Sequence, residues 1–340
     1  MTIERLLATD DLPDGTVRAL LDRAAELKQR PGAGDELAGR VLGLVFMNPS
    51  LRTRASFEVA MLRHGGHAIT IEPGRGVWGF ETRVGVTMDG DAAEHVFEAA
   101  GVLGRYVDAL GVRAFAAGES WAEAREDRVI RQFAERAGVP LVNMESARRH
   151  PCQGLADALT LRERLGEPAG RRFVLAWAWH PKPLPTAVPV SASIAAARLG
   201  MEVVIARPPG WDLDPDDMAA IGSVAARAGG SVQVTDDLDE AVAGAHAVYA
   251  KSWGRLDLFG RPEEEAAARA GLRDWRITAE RMERTAGGRG AFLHCLPVRR
   301  NVVVDDAVLD GPWSAVLDQA ENRLHVQRAV LLAMLGGDGP

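Results

Sequence analysis

From Val41 onward, short apolar runs rich in β-formers alternate with segments of helical periodicity, and this alternation constrains the fold more than any other feature. Strand-like runs near 41–47, 67–71, 107–112 and 139–143 are separated by helical patterns near 51–64, 92–104 and 121–137. Such βαβα order implies a parallel sheet, because parallel neighbours need a crossover long enough to carry a helix. The pattern restarts after a helix beginning near Gln153, with strand candidates at 173–179, 202–206, 231–234, 247–250 and 291–295. Helices near 186–199, 215–228 and 238–243 fall between them. A chain of 340 residues is long enough for two cores. The expectation is an α/β protein of two doubly wound parallel-sheet domains, residues 1–148 and 149–318, with a helix in 319–340 crossing back to the first. No G-x-G-x-x-G follows a strand, which removes the usual support for a dinucleotide site.

The first strand hands over to its helix through Asn48-Pro49-Ser50-Leu51-Arg52-Thr53-Arg54. Ser50 stands at the cap position, Phe57, Met61 and Leu62 recur behind it at near-helical spacing, and the first turn carries hydroxyls and guanidinium groups. Free N–H groups of a first turn together with arginine make a compact phosphate site. The same residues also read as an ordinary capped surface helix, and both readings stand at this point. Positive charge in a first turn opposes the helix dipole and needs a reason. The spacing is not that of a nucleotide P-loop, so the ligand of such a site would be a small phosphate.

A net charge of −7 and scattered arginines give no support to nucleic-acid binding. No apolar stretch approaches the length of a membrane span, and the charged segment MTIERLLATDDLPDG lacks the apolar core of a signal peptide, so the expected location is cytoplasmic. The two cysteines, Cys152 and Cys295, make neither a disulfide framework nor a zinc motif, and no metal or cofactor is expected. Of 40 basic residues only Lys28, Lys182 and Lys251 are lysines. Where arginine is the default cation, a lysine inside an apolar-flanked motif points to a need for a compact ammonium.

Short polar motifs stand at the C-terminal ends of the expected strands, where open α/β sheets bind ligands: NPSLRTR (48–54), GVRAF (111–115), HPCQ (150–153), AKSWG (250–254) and HCLPVRR (294–300). ENRLHVQ (321–327) lies on the closing helix. In order and spacing they resemble the aspartate/ornithine carbamoyltransferase family over essentially the whole chain. Members acting on free ornithine usually carry a D-x-x-x-S-M-G element where this chain has Ala250-Lys251-Ser252-Trp253-Gly254. With MDGD (88–91), WHPKPLPTAV (179–188) and HCLPVRRN (294–301), this looks like the branch that carbamoylates N-acylated ornithine. The chemistry agrees, since acylation removes the α-ammonium an acidic loop would pair with and leaves the α-carboxylate or the acyl oxygen for Lys251.

The resemblance implies roles residue by residue. Ser50, Leu51 through its backbone, Arg52, Thr53, Arg113 and Arg323 would bind carbamoyl phosphate, with Arg52 and Arg113 stabilising charge on the leaving phosphate. His150 would polarise the carbamoyl carbonyl, while Gln153 and the Leu296 carbonyl accept from its NH₂. Cys295 belongs to this group as a tuner of the attacking amine's surroundings, because an already activated carbamoyl group needs no covalent intermediate. Glu145, Lys251, Leu296 and Arg299 would bind the acceptor. Trp78, in GRGVWGFE, matches a tryptophan that reaches the carbamoyl phosphate site of a neighbouring subunit, which implies a homotrimer.

Two positions depart from the acetyl-specific pattern. Ala93 stands where those enzymes tend to carry a glutamate, whose charge would repel a succinyl carboxylate, and Val303 stands where some carry a lysine. Both favour N-succinylornithine over N-acetylornithine. The expected reaction is carbamoyl transfer to the δ-amine of N-acylated ornithine within arginine biosynthesis. The alternatives are a carbamoyltransferase for another amine, free ornithine included, and a non-catalytic carbamoyl-phosphate-binding relative.

Overall fold

The computed structural model describes residues 2–30, 32, 34–115, 118 and 120–336. The first half of the chain runs β1 (Arg5–Leu6), α1 (Asp14–Gln29), β2 (Val41–Phe46), α2 (Leu51–Leu62), β3 (His67–Ile71), β4 (Phe80–Glu81), β5 (Glu94–His95), α3 (Val96–Leu103), β6 (Ala109–Arg113), α4 (Trp121–Ala124), α5 (Arg128–Arg136) and β7 (Leu141–Glu145). The second half follows with α6 (Pro151–Leu165), β8 (Arg172–Trp177), α7 (Ala187–Arg198), β9 (Glu202–Ala206), α8 (Pro215–Ala228), β10 (Ser231–Thr235), α9 (Leu238–Val242) and β11 (Ala247–Lys251). It closes with α10 (Pro262–Arg269), α11 (Ala279–Glu283), β12 (Ala291–Leu293), α12 (Asp306–Leu309) and α13 (Val316–Leu335).

These elements form two compact units. The first holds the described residues up to 115, those of 124–152 and those from 323 onward; the second holds those of 118–123 and 153–322. Each is built on five parallel strands, in the order β1-β7-β6-β2-β3 in the first and β10-β9-β8-β11-β12 in the second. The two-domain α/β architecture with parallel sheets is therefore as the alternation required. In the second sheet both faces are covered: Trp177, Tyr249, Leu175 and Phe173 pack with α7 residues on one side, and Val174, Val248, Phe292 and Met282 pack on the other. That burial explains why its strands read as continuous apolar runs.

Strand order fixes where ligands can sit. In the first sheet the chain steps outward from β2 to β3 on one side, and β6 and β7 lie on the other. The reversal of strand order therefore falls between β2 and β6, where Phe46 and Arg113 are register partners, the kind of place at which open α/β sheets bind ligands. In the second sheet the same reversal falls between β8 and β11, where Trp177 pairs with Lys251.

Several boundaries differ from the sequence expectation for identifiable reasons. The helix expected from 92 begins at Val96, because Glu94 and His95 pair with β4 and the His95 ring caps the first turn by accepting from Phe97 N–H. The helix expected over 121–137 is interrupted between Ala124 and Arg128, where Asp127 takes a left-handed φ of 50°. The last helix starts at Val316; its residues through Asn322 belong to the second unit and those from Arg323 to the first. Within the first unit α13 is anchored by Arg328, which donates to His64 Nε2 at 3.0 Å and to Leu27 O at 2.8 Å. Ile3 N–H donates to Ala333 O at 3.0 Å in the same unit.

Candidate active site

In the first unit the N-terminus of α2 is built as its sequence implies. Ser50 is extended (φ −158°, ψ 119°) and accepts from Thr53 N–H at 3.3 Å, a side-chain cap for the first turn. Asn48 accepts from Phe115 N–H at 2.7 Å, and Met47 N–H donates to Arg113 O at 2.9 Å, so the turns after β2 and β6 hold one another. Arg323, on α13, donates to Thr53 Oγ1 at 3.0 Å. The Leu51 side chain is 79% exposed, consistent with a residue used through its backbone.

Arg113 is buried at the end of β6, ion-paired with Glu145 at the end of β7 and stacked 4.6 Å over the Phe115 ring. The same Glu145 oxygen lies 3.5 Å from His150 Nε2. The structure thus places Glu145, expected to serve the acceptor, against Arg113 and His150. The buried carboxylate balances the Arg113 guanidinium and faces the His150 ring, which makes burial of the charged pair tolerable.

Trp78 and Ala93 lie away from these pairs in sequence but near each other. Trp78 is 60% exposed and its Nε1–H donates to Glu94 Oε2 at 2.6 Å; Ala93, exposed, is the residue immediately before Glu94. The neighbouring carboxylate is therefore already engaged by the tryptophan.

In the second unit Lys251 ends β11, only 8% exposed, and its ammonium makes no hydrogen bond or ion pair among the described residues. It contributes with Arg299 and Arg269 to a positive field at His180, whose pKa falls below 6.5 because of burial first and these cations second. Arg299 Nε donates to His180 Nε2 at 3.0 Å. Since arginine can only donate, Nε2 carries no proton, and Nδ1–H donates to Lys182 O at 2.9 Å. His180 is thus a neutral ring held among cationic side chains. His180 was not singled out from sequence, although it lies in the HPKP segment beside Lys182.

The HCLP turn is fixed from both sides. His294 N–H donates to Gln319 Oε1 at 2.9 Å, and His294 Nδ1 accepts from Leu296 N–H at 2.9 Å. Leu296 has φ 55°, a left-handed conformation that costs a leucine about 1 kcal/mol. Cys295 is half-buried beside the apolar cluster of the second unit, whereas Cys152 is fully buried and its thiol is pushed up to about 12 by that burial. Gln153 donates to Asp157 Oδ1 at 2.8 Å. Among the described residues no group of three or more His, Cys, Asp and Glu side chains is arranged to hold a metal ion, and no helix is long and apolar enough to cross a membrane.

Two five-stranded parallel sheets, each with a cationic side chain at its reversal of strand order, make this a protein of the doubly wound α/β class. The chain belongs to the aspartate/ornithine carbamoyltransferase family: the carbamoyl-phosphate-binding domain model matches residues 4–163 and the Asp/Orn-binding domain model matches residues 185–334. It is accordingly a carbamoyltransferase. It is 46% identical to an N-acetylornithine carbamoyltransferase of Xanthomonas campestris pv. campestris over 343 residues, covering 100% of both chains. It is 36% identical to an N-succinylornithine carbamoyltransferase of Bacteroides fragilis over 324 residues, covering 94% of this chain and 95% of that one. Among solved structures it superposes with a TM-score of 0.94, at 46% identity over 98% of this chain and 100% of the other, on a glutamate-to-alanine variant of N-acetyl-L-ornithine transcarbamylase complexed with carbamyl phosphate and N-succinyl-L-norvaline. An acetylornithine transcarbamylase complexed with acetylcitrulline matches with a TM-score of 0.94 at 45% identity over 98% and 100% of the chains.

Proposed function

We propose that this chain transfers the carbamoyl group of carbamoyl phosphate to the δ-amine of an N-acylated ornithine, with N-succinylornithine favoured over N-acetylornithine, as a step of arginine biosynthesis. The observation that carries the acceptor assignment is Lys251, a buried ammonium without an ion-pair partner among the described residues. It suits a substrate that presents a carboxylate and no α-ammonium. The similarity to the N-acetylornithine and N-succinylornithine carbamoyltransferases of Xanthomonas and Bacteroides supports the same class of acceptor.

In the proposed reaction Ser50, the first-turn backbone of α2, Arg52, Thr53, Arg113 and Arg323 bind the phosphate. Their positive charge counts most as the carbamoyl–oxygen bond breaks and charge builds on the leaving group. His150 donates to the carbamoyl oxygen as the carbon becomes tetrahedral, and Gln153 and the Leu296 carbonyl accept from the NH₂. Lys251 and Arg299 take the acceptor's carboxylate and Cys295 packs beside its side chain, while Glu145 acts by holding Arg113 and His150. The δ-amine attacks in its neutral form, so kcat/KM for the acceptor rises with pH as that amine deprotonates.

The succinyl preference rests on Ala93, where no carboxylate opposes a second acceptor carboxylate, and on Val303, which is buried in an apolar cluster. The similar transcarbamylase whose glutamate is replaced by alanine, complexed with N-succinyl-L-norvaline, supports the first point. Trp78 is exposed within a segment that also exposes Val77, Val84 and Met88. That apolar surface supports a homotrimer in which this loop serves a neighbouring subunit. The decisive experiment offers carbamoyl phosphate with ornithine, N-acetylornithine, N-succinylornithine and aspartate separately. Preference for ornithine or aspartate refutes the acylated acceptor; in an Ala93→Glu variant, an unchanged succinyl-to-acetyl ratio refutes the basis of the specificity.

A further inference from the structure

We propose that Asp157 is a positioning residue that sets the polarity of the seat for the carbamoyl NH₂, turning both acceptors of that group, Gln153 and the Leu296 carbonyl, in the same sense. It rests on the carbamoyl phosphate reading above and adds a residue to which no role has been given.

The reasoning starts from the one group whose polarity is beyond choice. The backbone N–H of His294 can only donate, and it lies 2.9 Å from Gln319 Oε1. That contact fixes the Gln319 amide, so its Nε2 is the atom 2.6 Å from Asp157 Oδ1, and Asp157 must accept there. The same oxygen lies 2.8 Å from the Gln153 amide, which is therefore also held by its Nε2. Gln153 Oε1 is left as the end turned away from Asp157, the polarity needed to accept from an NH₂. Reversed, the amide would set a donor against a donor.

The second branch reaches the HCLP turn. Gln319 restrains the His294 backbone, and His294 Nδ1 in turn accepts from Leu296 N–H at 2.9 Å. Leu296 is held in its left-handed conformation by that contact. Asp157, Gln319, His294 and Leu296 are thus consecutive links, and Asp157 is fully buried at their root. Tyr249, buried nearby, is held well above its usual pKa by burial first and by the Asp157 charge second, so the phenol adds no second anion to the network. One oxygen of this carboxylate accepts from two amide donors, an arrangement that an apolar residue of the same volume could not provide.

A purely structural carboxylate and a polarity-setting one differ in a measurable way. Acetyl phosphate has the shape of carbamoyl phosphate with CH₃ in place of NH₂, so only the latter can use oriented acceptors. Calorimetric binding of both compounds to the full-length protein gives a ratio of dissociation constants. In Asp157→Leu that ratio should fall by about tenfold, because roughly one hydrogen bond's worth of preference is lost. Should that variant not unfold cooperatively, Asp157→Asn, which keeps the shape and can offer Gln153 a donor, is read in the same way. A ratio unchanged in the folded variant, with both ligands weakened equally or not at all, overturns the role of Asp157. A parent protein that binds acetyl phosphate as well as carbamoyl phosphate refutes instead the carbamoyl phosphate reading beneath it.

Discussion

Replacing Glu265 by glutamine should destabilise the second unit far more than the loss of one surface ion pair would. Glu265 and Arg269 stand one turn apart on α10, both side chains only 2% exposed, with Arg269 Nε donating to Glu265 Oε2 at 2.7 Å. Arg269 Nη1 also donates to His180 O at 2.7 Å and Lys182 O at 3.1 Å, so the pair anchors the HPKP segment. Glu265→Gln keeps the shape and leaves a buried guanidinium without its counter-charge, which costs about 3 kcal/mol, the lower end of the range for breaking buried pairs. For a unit of this size that is a fall in Tm of about 6–12 °C. The transition can be followed by tryptophan fluorescence, since Trp179 Nε1–H donates to Arg269 O at 2.9 Å and Trp177 lies 5.9 Å from the guanidinium. The double variant Glu265→Leu/Arg269→Met removes both charges and should recover part of the loss, leaving chiefly the two carbonyls to be resatisfied. A single variant within about 1 kcal/mol of the parent, or a double variant less stable than the single, refutes the reasoning.

The two cysteines should separate under a thiol reagent at about pH 8: Cys152, with its thiol pushed up to about 12, has about one thiolate in ten thousand. Half-buried Cys295 should react first, and two equivalents titrating at one rate in the native protein would contradict this. Because His180 titrates below 6.5 in the fold, its contribution to stability is complete above 6.5 and is lost as pH falls through the lowered value. Urea unfolding at about pH 8 and about pH 5.5 should show a smaller drop in His180→Gln than in the parent; an equal drop assigns the acid sensitivity elsewhere. Gly154→Ala would set a Cβ 2.9 Å from Ser191 O, a backbone atom of α7. The variant should lose about 1–3 kcal/mol despite alanine's better helix propensity, and a rise in Tm would disprove the close approach of α6 and α7.

How much could be read from the chain alone varies with the range of the interaction. The turn at Ser50 was legible because its cap, its polar first turn and the apolar residues behind it are local, and Lys251 was legible through the rarity of lysine. The parallel sheets followed from strand runs buried on both faces. The pairing of Glu145 with Arg113 was not legible, since it depends on β6 and β7 being neighbours and joins residues 32 apart. The contact between Asp157 and Gln319 spans 162 residues and leaves no trace in local pattern. The Gln153–Asp157 bond, by contrast, is an i,i+4 pair on one helix and was open to inspection. Helix α1 went unnoticed ahead of the strand alternation, although Val17, Leu20, Leu21, Ala24 and Leu27 form its buried stripe.

Helix α13 has a consequence for the order in which the molecule can be made. Its residues from Arg323 belong with the first unit, and Arg323, Arg328 and Ala333 bond there to Thr53, His64, Leu27 and Ile3. A ribosome that has delivered the whole first sheet has still not delivered the helix that completes its unit. Nearly all of the second unit, residues 153–322, is delivered before that helix segment. Any nascent or truncated chain that stops before Arg323 is therefore denied the bonds that α13 makes to Thr53, His64, Leu27 and Ile3.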